Sequence, residues 1–410
     1  MDTGRLGLMD VQGLEDFFRE NFSHRGEVGA SVSVWKDGEE IISLSDGWCE
    51  RERLRKWDVR TMVPVYSATK GPSAATLLHV LSGKGLDEET AVGEVWRNFP
   101  LPEASFAELL SHQCGLAALD GVADVFDHRA VIHAVERQRP AWEPGEGHGY
   151  HPRTFGFLLD ECVRRLVGRS LGEVWNEDIA GPAGIDFWIG LPESEWGRVA
   201  KLIPGRAKPS VYEEGFYAAF NTQESLTRRA FSSPRGLHAI AEMNEPKAWA
   251  AGLPAMGGVG TARGLAKFYQ LAIGAMDGPF SDKVRRALAG LRISGDDKVL
   301  LRETAFTCGF QKDPVDGAGD KKRKVYGESL AAFGHPGAGG SHGFGDPVGG
   351  LSFAYVMNQM ELSVMPGERC AGLVERLGRS DFPVTAYQAL SSAMAFASAA
   401  ATKPEKSGWG

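Results

Sequence analysis

The spacing of apolar and polar positions divides the chain into strand-like ends and a helical middle. The pattern predicts a short amphipathic helix over Val11 to Asn21. Strand-like runs follow at Gly29 to Trp35 and Glu40 to Leu44, and the Lys36-Asp37-Gly38 sequence between them is typical of a hairpin turn. After an extended lead-in, helical spacing begins at Ser67, and the pattern predicts a helix to about Leu81.

Helical periodicity then continues to about residue 246, and strand-like runs return in the last third of the chain. The clearest helical segments are Phe106 to Leu110, Arg153 to Val167, Leu171 to Ile179 and Ala262 to Ala275. Strands are predicted near Thr304 to Gln311, Val325 to Gly334 and Leu351 to Asn358, and helices at Ala371 to Leu377 and Val384 to Ala400. We therefore expect a sheet domain from residues 1–66 and 255–410, with a mainly helical domain, 67–254, inserted between them.

Composition limits the kinds of partner we expect. Apolar residues make up 43% and charged residues 24% of the 410, and the net charge is −8. The basic cluster Lys321 to Lys324 lies beside acidic and glycine residues, so we predict a solvated loop and no nucleic-acid interface. No segment approaches the roughly 20 apolar residues that span a bilayer, and residues 1–11 lack a signal-peptide pattern, which indicates a cytoplasmic protein without a membrane partner.

The five cysteines do not suggest a structural cross-link or a metal site. They are scattered, odd in number and form no CxxC pair: Cys49, Cys114, Cys162, Cys308 and Cys370. His148 and His151 are close in sequence, but no third ligand is evident beside them. We expect His112 to have a structural role, with a bond to a nearby backbone carbonyl, and we expect no metal or organic cofactor.

The first candidate for chemistry is the SxxK sequence Ser67-Ala68-Thr69-Lys70. A second match, Ser33 to Lys36, lies in a predicted strand, where residues three apart point to opposite faces. Ser67 and Lys70 lie on one face of a predicted helix, close enough for the amine to reach the hydroxyl. A lysine of lowered pKa can then take the serine proton, and the helix N-terminus favours negative charge there. The alternative is that Ser67 is only a helix cap and Lys70 a surface residue.

Two other serines match the GxSxG pattern of a nucleophile elbow, which requires a strand before the serine and a helix after it. Ser170 follows a predicted helix and forms a capping-box pattern with Glu173. Ser341 lies in a glycine-rich stretch with no predicted helix after it. We therefore expect neither to be the nucleophile.

Three further segments follow the SxxK sequence in a recognisable order: Leu109-Leu110-Ser111-His112-Gln113-Cys114-Gly115-Leu116; Pro144-Gly145 with Gly149-Tyr150-His151-Pro152 and the helix after it; and Phe333 to Gly340. Together these motifs resemble the serine β-lactamase and penicillin-binding-protein superfamily, in particular its class C-like branch, the family VIII carboxylesterases. The resemblance covers about residues 28–377. It implies an α/β (α+β) fold in which helices flank an antiparallel sheet, and an active site between the sheet and the inserted helical domain.

The resemblance assigns a role to each matching residue. Ser67 corresponds to the acylated serine, Lys70 to its partner, and Tyr150 to the tyrosine of the Y-x-N motif, which shuttles a proton to the leaving group. His335-Pro336-Gly337 corresponds to the third motif, which is K-T-G in class C lactamases and often H-x-G in esterases. The backbone N–H groups of Ser67 and Ala338 would then form the oxyanion hole.

Two positions depart from the lactamase pattern, since Pro152 replaces the asparagine of Y-x-N and His335 the lysine of K-T-G. His335, Gly337 and Pro152 are thus predicted to border the substrate, and both replacements favour esters over antibiotics that carry a carboxylate. The expected function is hydrolysis of a small-molecule carboxylic ester through an acyl-Ser67 intermediate. A β-lactamase or D-alanyl peptidase, an acyltransferase and a non-catalytic binding protein on this fold are the alternatives.

The segment from Lys201 to Trp249 is rich in aromatic residues. Tyr212, Phe216, Tyr217 and Phe220 are scattered along it. Because variable segments over a common scaffold often shape binding pockets, we expect this segment to shape the pocket for the acyl group.

Overall fold

In the computed structural model, residues 11–205 and 213–378 are described. The α-helices of these residues are α1 (Val11–His24), α2 (Lys70–Gly83), α3 (Phe106–Leu110), α4 (His128–Val135), α5 (Thr154–Val167), α6 (Leu171–Val174), α7 (Gly181–Ala183), α8 (Glu214–Phe220), α9 (Leu226–Ser232), α10 (Ile240–Met243), α11 (Pro246–Ala250), α12 (Ala262–Ile273), α13 (Asp282–Ala289) and α14 (Glu368–Gly378). The helix predicted over Val384 to Ala400 and the aromatic residue Tyr212 lie outside the described residues.

The strands form one large sheet and one small sheet. They are β1 (Gly29–Lys36), β2 (Glu39–Gly47), β3 (Val63–Pro64), β4 (Phe187–Ile189), β5 (Gly258–Gly260), β6 (Ile293–Asp296), β7 (Glu303–Phe306), β8 (Gln311–Lys312), β9 (Phe333–Pro336), β10 (His342–Asp346) and β11 (Leu351–Met357). The large sheet has the order β2-β1-β11-β10-β9-β8-β7-β6, and its neighbouring strands are antiparallel.

The pairing of β1 with β11 brings the two ends of the chain into one sheet. The register runs from Ala30 opposite Met357 to Lys36 opposite Leu351. Helix α12 packs on β1, β10 and β11. The ring of Tyr269 in α12 fills the space where Gly343 in β10 has no side chain. The sheet is therefore flanked by helices, and the fold is that of the β-lactamase-like α/β class predicted from the sequence.

The helical segment between the two parts of the sheet is not helical throughout. Strand β4, Phe187–Ile189, lies within residues 67–254 and pairs with β5, which also pairs with β3. Within the predicted, mainly helical insertion, these three residues thus form a strand that completes the small sheet. The domain boundaries at residues 66 and 254 stay a prediction.

The prediction of a strand over Val325 to Gly334 is wrong for most of its length, because β9 begins only at Phe333. The backbone N–H groups of Val325 and Tyr326 both donate to the carboxylate of Asp313, each at 3.1 Å, instead of to a neighbouring strand. The apolar residues of this segment are thus buried by a side-chain clamp and not by strand pairing.

The basic cluster is less solvated than predicted. The Lys321 side chain is only 5% exposed, and its Nζ lies 3.0 Å from Asp313 Oδ2 and 2.7 Å from the carbonyl oxygen of Gly327. Lys322 and Lys324 are exposed. One member of the cluster is therefore an internal ion-pair partner that holds the same loop.

Among the described residues, no helix combines the length and the apolar character that crossing a bilayer requires.

Candidate active site

Ser67 lies on a tight turn between β3 and α2. Tyr66, the residue before it, has a φ of +48°, which an L-amino acid rarely adopts. A single 3₁₀ turn, Tyr66–Thr69, then leads into α2, so the α-helix begins three residues later than predicted. The Thr69 hydroxyl donates to Tyr66 O at 2.5 Å and accepts from the Gly258 N–H at 2.9 Å, which fixes this turn against β5.

Lys70 is fully buried directly beside Ser67. Its Nζ lies 3.2 Å from Ser67 Oγ, 2.8 Å from the carbonyl oxygen of Pro152 and 2.9 Å from that of Ala255. Burial, with a smaller contribution from the charge of Arg153, lowers the pKa of Lys70 well below its usual range. The SxxK spacing therefore places the amine within reach of the hydroxyl, as the helical prediction required.

The three neighbours of Lys70 suit an uncharged amine. A neutral amine has two N–H groups and one lone pair, and the carbonyls of Pro152 and Ala255 can accept only from N–H groups. The lone pair is then left facing Ser67 Oγ, whose O–H can donate to it. The geometry thus allows the Ser67 proton to pass to Lys70 without rearrangement of either carbonyl contact.

Tyr150 lies across the site from Lys70. The Lys70 Nζ is 4.8 Å from the centroid of the Tyr150 ring, and the residue is only 5% exposed. Burial raises the pKa of Tyr150 well above its usual range, while a hydrogen bond with the Ser67 side chain opposes that shift. Tyr150 is accordingly a phenol and not a phenolate at rest, and it can donate a proton near Ser67.

His335, on β9, contacts the Tyr150 ring, and the two ring centroids are 5.8 Å apart. Its Nδ1 lies 2.8 Å from the carbonyl oxygen of Pro336, so Nδ1 carries the proton and donates. Burial, the largest cause, lowers the pKa of His335 to about 3. Its buried Nε2, without a partner among the described residues, is therefore a neutral hydrogen-bond acceptor and not a cation.

The glycine of the third motif brings β9 against the Ser67 turn. A Cβ placed on Gly337 would overlap the carbonyl oxygen of Val65, two residues before Ser67, so only glycine fits this approach. Gly337 N–H donates to Ser341 O at 2.6 Å, which fixes the following turn. Within the described residues, the N–H groups of Ser67 and Ala338 have no acceptor, which leaves both available to a negatively charged oxygen.

Pro152 contacts the site through its backbone. The residue is buried, and its carbonyl oxygen accepts from Lys70, so its main contribution in this structure is to orient the amine. Its predicted position beside the substrate stays a prediction. In place of the amide of an asparagine, the pyrrolidine ring offers no polar side-chain group.

Two of the competing serines have other hydrogen-bond partners, and the third is buried away from solvent with no partner for its hydroxyl among the described residues. Ser33 Oγ donates to Glu40 Oε1 at 2.7 Å in the middle of β1, and Lys36 Nζ binds the carbonyl oxygen of Gly349. Ser170 forms the predicted capping box with Glu173, which is confirmed. Ser341 is buried at the turn before β10, a strand that the glycine-rich sequence concealed.

His112 and His151 hydrogen-bond to each other and to the main chain around Tyr150. His151 uses both ring nitrogens, since Nδ1 donates to Gly149 O at 2.7 Å and Nε2 accepts from Leu116 N–H at 3.0 Å. His112 Nδ1 accepts from the His151 N–H at 3.2 Å, so the expected carbonyl partner of His112 is wrong. No group of three metal-ligating side chains is found in the described part of the chain.

Sequence reasoning missed two residues that act on the site. Arg153 is buried one residue beyond Pro152, and its guanidinium donates to Gly236 O and contacts His238 Nδ1 at 3.4 Å, while its charge lowers the pKa of Lys70. Asp297 accepts the backbone N–H of Tyr150 at 3.0 Å. Arg153 directly follows the second motif but was given no role, because the sequence does not show that its side chain is buried, and Asp297 lies in no motif.

Comparison with known proteins agrees with this geometry. The family model described as Beta-lactamase matches residues 14–369. This chain belongs to the beta-lactamase family. Solved structures with a similar fold align along about nine-tenths of the chain.

Two solved structures and one curated relative are similar to this family member. A penicillin-binding-protein homologue from Caulobacter crescentus is 31% identical with a TM-score of 0.77, covering 90% of this chain and 98% of its own. A family VIII carboxylesterase is 30% identical with a TM-score of 0.79, covering 92% and 99%. Esterase/beta-lactamase LipL of Mycobacterium tuberculosis strain H37Rv is 29% identical over 366 residues, 84% of this chain and 80% of LipL. The chain is thus a beta-lactamase-fold hydrolase with esterases among its neighbours.

Proposed function

We propose that this protein is a serine carboxylesterase that hydrolyses small, uncharged esters through an acyl-Ser67 intermediate. The observation that carries the proposal is the contact of Ser67 Oγ with Lys70 Nζ, at 3.2 Å, in a site where Lys70 has no carboxylate partner among the described residues and a pKa far below its usual range. An activated serine next to two free N–H groups is the equipment of acyl transfer.

In the acylation step, Ser67 Oγ attacks the ester carbonyl while its proton passes to the uncharged Lys70. The carbonyl oxygen, now negative, accepts from the N–H groups of Ser67 and Ala338. Tyr150 donates its phenolic proton to the departing alcohol oxygen as the C–O bond breaks. The proton held by Lys70 then restores the phenol.

In the deacylation step, water replaces the alcohol and attacks the acyl carbon. The same groups act in reverse order: the water proton passes toward Tyr150 and Lys70, and Ser67 Oγ takes a proton as it leaves. The product is a carboxylic acid, and the resting site is regenerated. Every proton in this cycle is accounted for by side chains of the chain itself.

Preference for an ester over a penicillin or cephalosporin is supported by the third motif. Those antibiotics carry a carboxylate, and a cation at this motif would attract it. His335 offers a neutral acceptor with a pKa of about 3, and the Pro152 carbonyl is occupied by Lys70. A carboxylate facing these groups would be desolvated without compensation.

The aromatic residues of α8 and α9 support a bulky apolar acyl group. Phe216, Phe220 and Phe231 pack together with ring centroids 5.3 to 5.9 Å apart, and Phe231 lies 6.4 Å from Tyr150. Tyr217 packs on Phe216. We infer that this aromatic cluster borders the acyl side of the site, as the sequence predicted for the segment.

The test compares two chromogenic substrates, a short-chain p-nitrophenyl ester and a cephalosporin, for the wild type and for Ser67→Ala. We expect the wild type to hydrolyse the ester and Ser67→Ala to lose this activity. We also expect the wild type to turn over the cephalosporin at least ~10²-fold more slowly than the ester. Ester cleavage that survives in Ser67→Ala would refute the nucleophile.

The name of LipL joins esterase with beta-lactamase, so lactam hydrolysis is the second candidate. Rapid cephalosporin turnover with negligible ester cleavage would establish it in place of the esterase. A third arm, in which an added alcohol captures the acyl group as a new ester, separates hydrolysis from acyl transfer.

A further inference from the structure

One carboxylate outside the motifs is directed at Tyr150. Asp297 follows β6 and is 2% exposed, and its two oxygens lie 3.0 and 3.1 Å from the Tyr150 backbone nitrogen. Oδ1 also accepts from the N–H groups of Val299 and Leu300, both at 2.8 Å, and Oδ2 from the Thr304 hydroxyl at 3.3 Å. Asp297 thus joins the loop after β6 to the Tyr150 segment.

The residues on either side reinforce this connection. His148 O accepts the Lys298 N–H at 3.0 Å, and His148 Nε2 lies 2.7 Å from Thr304 Oγ1. On β7, Phe306 stacks on the Tyr150 ring with the centroids 6.3 Å apart and the planes at 9°. The main chain and the ring face of Tyr150 are therefore both set by one part of the chain, residues 297–306.

The chemistry of Asp297 argues against a role in simple packing. Burial raises its pKa to about 6, and three backbone N–H groups oppose that shift. No basic side chain in the described residues lies within ion-pair distance; Arg302, nearby, lies 4.0 Å from Glu213 instead. A buried charge without a counter-ion is costly, so its hydrogen bonds to the main chain, Tyr150 included, are what retain it.

We propose that Asp297 is a positioning residue for the reaction: by holding the main chain of Tyr150, it places the phenol oxygen between Ser67 and the leaving alcohol. This proposal rests on the proposed role of Tyr150 in protonating the alcohol. Asp297 itself touches neither the substrate nor Ser67.

The test uses leaving groups that differ in their need for a proton. A p-nitrophenolate departs without protonation, whereas an alkoxide requires it, so loss of phenol placement must affect alkyl esters more. We expect kcat of Asp297→Ala to fall at least ~10-fold further for an alkyl ester than for the p-nitrophenyl ester of the same acid, with KM little changed. Asp297→Asn, which keeps one acceptor oxygen, should recover part of the loss and covers the case in which Asp297→Ala does not fold.

Two controls separate positioning from stability. Asp313→Asn alters another buried carboxylate that accepts two backbone N–H groups, and we expect equal, small effects on both esters. In a Tyr150→Phe background, Asp297→Ala should add less than about twofold to the loss, because no phenol remains to be placed.

The outcomes distinguish this proposal from the proposed function. Equal losses on both esters, or full additivity with Tyr150→Phe, would overturn the positioning role while leaving the esterase intact. A wild type that cleaves neither ester would overturn the proposed function, and this proposal with it.

Discussion

The side chains of Lys70 and Lys321 both have little solvent exposure, and their surroundings give them different chemistry. Lys70 is 0% exposed and faces three oxygens, of Ser67, Pro152 and Ala255, none of which carries a negative charge. The Lys321 side chain is 5% exposed and lies 3.0 Å from the Asp313 carboxylate. Because a buried charge is stable only with compensation, Lys321 serves as a structural ion pair, whereas Lys70 is suited to be an uncharged base.

The comparison teaches that burial alone does not make a lysine a base. What distinguishes Lys70 is that no carboxylate of the described residues pairs with it, while the positive charge of Arg153 lowers its pKa further. Two backbone carbonyls orient the amine without neutralising it. The same arrangement with a carboxylate in place of one carbonyl would retain the proton and abolish the activation of Ser67.

The largest expected effect on kcat comes from Lys70→Met, for which the single variant Lys321→Met is the control. Lys70→Met removes the base, and we expect kcat for the p-nitrophenyl ester to fall ~10³-fold or more. Lys321→Met should leave kcat within about twofold but lower the free energy of unfolding by up to about 3–5 kcal/mol, since the buried Asp313 keeps only the more distant Arg323, at 3.9 Å. Steady-state kinetics and denaturant unfolding of both variants provide the check. Similar losses of kcat in Lys70→Met and Lys321→Met would contradict the different roles of the two lysines.

Replacing Tyr150 by phenylalanine tests whether its phenol protonates the leaving alcohol. The phenolic proton is lost while the ring that packs between Phe306 and His335 is kept. We expect kcat to fall at least ~10²-fold, with a greater loss for alkyl than for p-nitrophenyl esters. Turnover near that of the wild type in a folded Tyr150→Phe protein would contradict a proton-transfer role.

The pH dependence tests whether Lys70 acts uncharged. Protonation removes the lone pair, so activity must fall on the acid side of its pKa, which lies well below the usual 10.5. We expect kcat/KM to fall about tenfold per pH unit along one acid limb and to rise to a plateau at higher pH. Because His335 has a pKa of about 3, His335→Asn should leave that limb where it is. A limb that disappears with His335→Asn would assign the base to the imidazole instead.

The smallest effects on kcat are expected at Ser170 and Ser341, the serines that lack a neighbouring lysine base. Ser170→Ala removes the capping box at α6 and should lower the free energy of unfolding by about 1 kcal/mol without changing kcat. Ser341→Ala should also preserve the chemical step. A loss of several orders of magnitude in kcat of folded Ser341→Ala would move the nucleophile to the buried turn before β10.

Much of the fold was predictable because local pattern and long-range pairing agree. The hairpin at Lys36 to Gly38 and the apolar run of β11 are readable in the sequence, and β1 and β11 pair along their whole length. Strand β10 was missed because its glycines, Gly343 and Gly345, give no strand pattern; they are needed where α12 packs closely. The strand prediction at Val325 was wrong because the backbone N–H of Val325 donates to the Asp313 side chain and not to a neighbouring strand.

The site was predictable where residues are close in sequence or lie in ordered motifs. Ser67 and Lys70 are three positions apart, and helical geometry brings them together. The protonation state of the groups was not predictable, because it depends on burial: nothing in the sequence around His335 indicates the low pKa, about 3, that keeps its imidazole neutral. Asp297 was missed for a related reason, since a carboxylate that binds the main chain from 147 positions away leaves no local pattern.

The most direct test of the account is to trap the acyl-enzyme and locate it. The protein is mixed with a slowly hydrolysed ester, quenched in acid within the first turnover, digested and mapped by mass spectrometry, with Lys70→Met in parallel. The account predicts one acyl group on Ser67 in the wild type, and little or none in Lys70→Met over the same interval. An acyl group on Ser341 or on any other side chain, or equal acylation of Ser67 in Lys70→Met, would contradict it.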